Sequence, residues 1–153
     1  MSNVTESVEV NVPVRTVYNQ WTQFTEFPRF MEGVEEIVQV SDTLTHWRVK
    51  VAGVMREFDA QITEQIPDER VAWQSIDGPG HGGVVTFHRL GEDTTRVTVQ
   101  LAIDPEGFAE NVADKAGLIQ HRAKGDLKRF KEYIESRGTE TGAWRGEVNP
   151  PRP

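Results

Sequence analysis

Residues 105–136 read PEGFAENVADKAGLIQHRAKGDLKRFKEYIES. Within and around this stretch Phe108, Val112, Ala116, Ile119, Ala123, Leu127, Phe130 and Ile134 recur at spacings of three and four. The spacing predicts one helix from Pro105 to Ser136, with a single apolar stripe sustained for about seven turns. Asp104 supplies a capping side chain, Pro105 suits the first helical position, and Gly138 is placed to stop the helix. Gly117 and Gly125 each weaken it by roughly 1 kcal/mol relative to alanine and admit a kink or the close approach of another element. Arg122 and Asp126 fall on the margin of the stripe, spaced as a solvated i,i+4 pair.

A stripe of that length needs an apolar surface to cover, and the preceding residues provide one. From Val34 onward the hydrophobic period is two. Val34, Ile37, Val38 and Val40 mark a strand whose spacing slips by one residue, as a bulge would make it. Trp47, Val49 and Val51 alternate with His46, Arg48 and Lys50; Phe58, Ala60 and Ile62 alternate with Asp59, Gln61 and Thr63. Val71, Trp73 and Ser75, then Val85 and Phe87, then Val97, Val99, Leu101 and Ile103 continue the pattern. Short turns join these runs, so the strands form an antiparallel meander with one wet and one buried face. Asp77–Gly83, with four glycines and a proline, is expected to be a loop, a flexible hairpin connection in preference to a gate.

Ahead of the meander, Val8, Val10 and Val12 alternate in a first strand. Pro13 then opens a short helix carrying Val17, Tyr18 and Trp21. Thr25 is placed to cap a second short helix with Phe27, Phe30 and Met31, and Gly33 to end it in a left-handed conformation. The expected fold is α+β, a curved antiparallel sheet of about seven strands around a long C-terminal helix. Residues 1–137 form the domain; residues 138–153, polar and rich in glycine and proline, read as a flexible tail. Trp144 is the exception there, an indole left to dock on the domain or on a protein partner.

Composition narrows the function. The chain has 153 residues, 24 acidic against 17 basic, and a formal charge of −7. That gives no general attraction to nucleic acid or to anionic lipid. No run approaches the roughly 18 apolar residues of an integral membrane segment, and the N-terminus MSNVTESVEV lacks the features of a signal peptide, so the expected location is cytoplasmic. Zero cysteines remove thiol nucleophiles and disulfide frameworks. His46, His81, His88 and His121 are scattered, with no carboxylate expected on the same face at ligand spacing, so no metal or other cofactor is implied.

The segment VYNQW at 17–21, running through FPRFMEGV at 27–34 and followed by six strands and a long helix, resembles the START and polyketide cyclase/dehydrase (SRPBCC, helix-grip) superfamily. The resemblance covers roughly Ser7 to Arg137. It implies a hydrophobic tunnel between sheet and terminal helix, which relatives use for lipids, quinones, plant hormones or polyketide intermediates. The residues placed around such a space here are Trp47, Phe58, Trp73, Ser75, Phe87, Leu101, Ile119, Arg122 and Ala123. Arg56, Glu64 and Arg89 share the inward parity but sit at strand ends, as rim charges. No catalytic set assembles from these residues. The expected function is therefore binding of a hydrophobic or aromatic small molecule as carrier or sequestering module. The alternatives are a polyketide aromatase/cyclase or dehydratase in the same cavity, and a protein-interaction module using the tail.

Overall fold

The computed structural model of the chain describes residues 2–51, 53–76, 81–103 and 112–148. Strand β1 (Ser2–Val10) leads into helix α1 (Val14–Trp21) and a 3₁₀ helix (Phe24–Arg29). The meander follows as β2 (Val34–Gln39), β3 (Leu44–Val51), β4 (Val54–Ile66), β5 (Arg70–Ser75), β6 (His81–Gly91) and β7 (Thr94–Ile103). The long helix α2 spans Val112–Arg137.

All pairs are antiparallel in the order β1-β7-β6-β5-β4-β3-β2, so β1 and β2 stand at opposite edges although they are neighbours in sequence. A flat sheet of this many strands would be roughly 29 Å wide at about 4.8 Å per strand. Curvature brings the edges within reach of the connection through α1 and the 3₁₀ helix. Register shifts at Val34/Glu36, Ile62/Glu64 and Arg89/Gly91 mark bulges that bend the strands, the first where the spacing predicts it.

The concave face is closed by α2. Its Ala123, Leu127, Phe130 and Ile134 are buried, as the stripe predicts, and Gly138 ends it at φ 73° with its N–H on the carbonyl of Ile134. Lys131 Nζ donates to the carbonyl of Glu9 at 2.8 Å and Glu135 accepts from the N–H of Asn11 at 2.8 Å, which aligns the helix along β1. Asp104, Pro105 and Phe108 lie outside the described residues. Among the described residues no helix is long and apolar enough to cross a membrane.

Several local expectations change. Thr25 is not a cap: the 3₁₀ helix begins after Gln23, with no side-chain capping bond. Gly33 has no positive φ; it is needed for close approach, because a Cβ there would lie 2.3 Å from Arg122 Nη1. Gly82 and Gly83 belong to β6, paired with Gln74 and Trp73 on one side and Ala102 and Leu101 on the other. On the outer face His46 does meet carboxylates, Asp59 across the ladder at 2.6 Å and Glu57 at 3.7 Å. The hydrogen bond to Asp59 is the largest cause raising its pKa above 6.5.

Past α2 the chain lies against the domain as a strap. Asn19 and Gln20 of α1 and Thr22 just after it are buried, a position that polar groups hold only when hydrogen-bonded. Gln20 exchanges two bonds with Thr141, at 3.0 and 2.9 Å. Thr22 Oγ1 accepts from the N–H of Trp144 at 3.0 Å, and Glu140 accepts from Asn19 at 2.8 Å. Arg145 bonds Asn19 and Asp68 and lies over the ring of Tyr18, while Val148 and Gln65 bond reciprocally at 2.7 and 2.9 Å. At roughly 0.5–1.5 kcal/mol per hydrogen bond, offset in part by the entropy of ordering the strap, truncation after Arg137 is expected to lower unfolding free energy by about 2–5 kcal/mol. Urea denaturation checks this; an unchanged midpoint would show that the strap adds nothing.

Candidate functional site

Side-chain size along α2 decides where space is left under the sheet. Ile134, Phe130 and Leu127 fill one end; Phe130 packs edge-on against Trp21 at 4.9 Å and Phe30 at 5.1 Å. At Ala123 the stripe becomes small, and there a cavity of about 200 Å³ opens between helix and sheet. An apolar cavity of about 150 Å³ is enough to hold benzene and exclude water.

Its walls come from every layer. Trp47 and Val49 of β3, Phe58 and Ile62 of β4, Val71 and Trp73 of β5, and Val99 and Leu101 of β7 form the sheet side. Trp21, Phe24, Phe27, Met31 and Val34 close the edge beside α1 and the 3₁₀ helix. Trp47 and Phe58, directly opposite in register, stack at 6.0 Å and 15°. The indole of Trp47 donates to Thr45 Oγ1 at 2.7 Å, and that hydroxyl donates to the carbonyl of Ala60 at 3.2 Å, so this wall polar group is satisfied within the protein. Trp73 lies across Gly83, where a Cβ would fall 2.7 Å from its ring; its buried Nε1 meets no acceptor among the described residues.

One end is charged. Arg122 and Asp126 of α2 and the backbone of Gly33 complete the lining. The expected Arg122–Asp126 pair does not form a hydrogen bond. Arg122 Nη1 instead donates to the carbonyl of Lys50 at 2.8 Å, and Asp126 accepts from Arg129 and from the N–H of Glu32 at 3.1 Å. Burial raises the pKa of Asp126 above its ordinary 3.8, against the lowering effect of these bonds and of the Arg129 and Arg122 charges.

Of the residues placed here from sequence, Trp47, Phe58, Trp73, Leu101, Arg122 and Ala123 line the cavity. Phe87 does not: it is buried beneath α1, edge-on to Tyr18 at 5.4 Å. Ser75 sits opposite Ala60, also outside the lining, and the side chain of Ile119 lies outside the described residues. Sequence reasoning missed Thr45, Val49, Ile62, Val71 and Val99, although strand parity points all of them inward. It also missed the edge formed by Phe24, Phe27, Met31 and Gly33, for which no local signal exists. A second cavity, of about 290 Å³ under the strap, is lined by Thr22, Gln23, Thr25, Gln39 and Asp42 among others.

Residues 10–132 match the model of a family described as polyketide cyclase / dehydrase and lipid transport. The chain belongs to this family. It is 60% identical over 149 residues to an uncharacterized 17.2 kDa protein from the melC2-rnhH intergenic region of Streptomyces lincolnensis, covering 97% of this chain and 99% of that protein. The cyclase/dehydrase fold is shared with TTHA0849 of Thermus thermophilus at TM-score 0.76 and 18% identity, over 90% of this chain and 100% of that one. Zhui aromatase/cyclase of Streptomyces sp. R1128 matches at TM-score 0.72 and 15% identity, over 94% and 99%. A START superfamily protein of Mycobacterium smegmatis matches at 0.69 and 14%, over 88% and 95%. At these identities the structural likenesses establish the fold alone.

The cavity geometry makes two predictions. Gly83→Ala is expected to cost about 1–3 kcal/mol by overpacking and to displace Trp73, seen in denaturation and near-ultraviolet circular dichroism; an unaltered indole signal would contradict it. The second concerns Asp126, whose pKa is raised on folding. Its contribution to stability is complete below the unfolded value of 3.8 and is lost as pH rises through the folded value. The stability of Asp126→Asn relative to the native protein should therefore climb as pH rises from 3.8, and a pH-independent difference would sink the assignment.

Proposed function

We propose that this protein binds a small hydrophobic or aromatic molecule in the cavity between sheet and α2, as a carrier or sequestering module. The observation that carries this reading is the cavity itself, apolar except at its Arg122 and Asp126 end, in a core whose other half is packed with interlocking aromatic rings. The volume suits a compact molecule of one or two rings better than an extended chain, since drug-sized ligands occupy about 300 Å³ or more.

The test is native mass spectrometry of the purified protein with solvent extraction, together with tryptophan fluorescence titration by naphthalene. Binding is expected, and Ala123→Phe, which fills the space, is expected to weaken it at least about tenfold. Loss of all binding to the native protein, or binding indifferent to Ala123→Phe, would overturn the proposal.

A second reading, aromatase/cyclase or dehydratase chemistry in the same cavity, is favoured by the family and by the likeness to Zhui aromatase/cyclase. The charged groups available to it are Arg122 and Asp126. Incubation with a reactive poly-β-ketone decides it: product distributions that shift with native protein and return to the spontaneous mixture with Arg122→Ala support it. Unchanged distributions reject it.

A further inference from the structure

The charged end of the cavity specifies more than an apolar occupant. Arg122 Nη1 is held by the carbonyl of Lys50 at 2.8 Å, which leaves most of the five-donor guanidinium fork without an acceptor among the described residues. Asp126 bonds Arg129 and the N–H of Glu32 through its Oδ1, and no hydrogen bond joins it to Arg122 among the described residues.

The backbone is shaped to put the guanidinium there. A Cβ on Gly33 would lie 2.3 Å from Arg122 Nη1 and 3.2 Å from its Cδ, so only glycine lets the side chain cross the β2 edge to Lys50. The N–H of Lys50 in turn bonds the carbonyl of Gly33 at 2.7 Å, which ties the two backbone segments together under the arginine. A fixed guanidinium with free donors, beside Asp126 in the lining of a largely apolar space, is a receptor for oxygen anions.

We propose that the ligand of this cavity is a single-headed oxyanion, a compact apolar or aromatic body with one terminal carboxylate or enolate, and that Arg122 binds the head with Gly33 as its positioning residue. This rests on the cavity-binding reading above. Desolvating a carboxylate without a partner is costly, so Arg122 is expected to set the sign of discrimination between acid and hydrocarbon as well as its size.

The experiment compares 2-naphthoate with naphthalene by calorimetry and tryptophan fluorescence in the native protein, Arg122→Met, Arg122→Gln and Gly33→Ala, with thermal melts confirming that each variant is folded. The native protein is expected to bind naphthoate at least about tenfold more tightly than naphthalene, as a charge-assisted hydrogen bond implies. Both Arg122 variants should reverse that order, and Gly33→Ala should abolish the preference. Naphthalene binding without a naphthoate preference, or a preference that survives in both Arg122 variants, overturns the head-group assignment and leaves the cavity reading standing. Failure of both compounds to bind overturns both.

Discussion

The contact of Phe130 with Trp21 and Phe30 holds the rest of the structure in place. It joins three separate pieces of chain, the terminal helix, α1 and the turn before β2, into one aromatic cluster on the concave face. Edge-to-face packing of this kind contributes about 0.5–1.5 kcal/mol per pair beyond the area it buries. With that end of α2 anchored on large rings, the cavity opens where the stripe shrinks to Ala123. The cavity is a consequence of one anchored end and one small residue, not of a hole cut into an otherwise even core.

The sheet meets the same constraint from its side. Because β1 and β2 lie at opposite edges and are joined by two short helices, the sheet bends, and bulges provide the bend. Bending turns alternate residues of β3, β4, β5 and β7 toward a common centre. Trp47, Phe58 and Trp73 then meet as a continuous wall, with no side chain on Gly83 to keep one indole from lying flat. Apolar walls and a satisfied Thr45 leave Arg122 and Asp126 as the charged lining groups, which is why the chemistry of any occupant is read at that end.

Away from the cavity the balance is polar. The strap after α2 does for α1 what α2 does for the sheet: it covers a face, but one made of Asn19, Gln20 and Thr22. Buried amides need partners in fixed directions, and Thr141, Glu140, Trp144 and Arg145 provide them. Composition rich in glycine and proline suggests freedom, yet here it lets an extended chain follow a surface and pair with it.

Much of this was legible in the residues alone. Period-two alternation from Val34 to Ile103 and the three-four stripe ending at Ile134 determined strands, helix and inward faces, because hydrophobic burial acts on periodicity, which is local. Six of the nine residues expected around the cavity line it, Trp47, Phe58, Trp73 and Leu101 by strand parity and Arg122 and Ala123 by helical spacing. Only the tertiary structure decided the remainder. Phe87 shares the parity of the wall but falls under Tyr18, since which inward residue meets space and which meets α1 depends on where the helix lies. Thr25, Gly33 and Gly83 looked like a cap, a stop and a loop residue. Packing against Arg122 and Trp73 assigned the two glycines to close approach. Arg122 and Asp126 looked like each other's partner at four residues' spacing; the backbone of Lys50 and the side chain of Arg129, distant in sequence or on the next turn, offered shorter bonds. Hydrogen bonds and charges depend on distance and direction between particular atoms, and those the chain acquires only once it is folded.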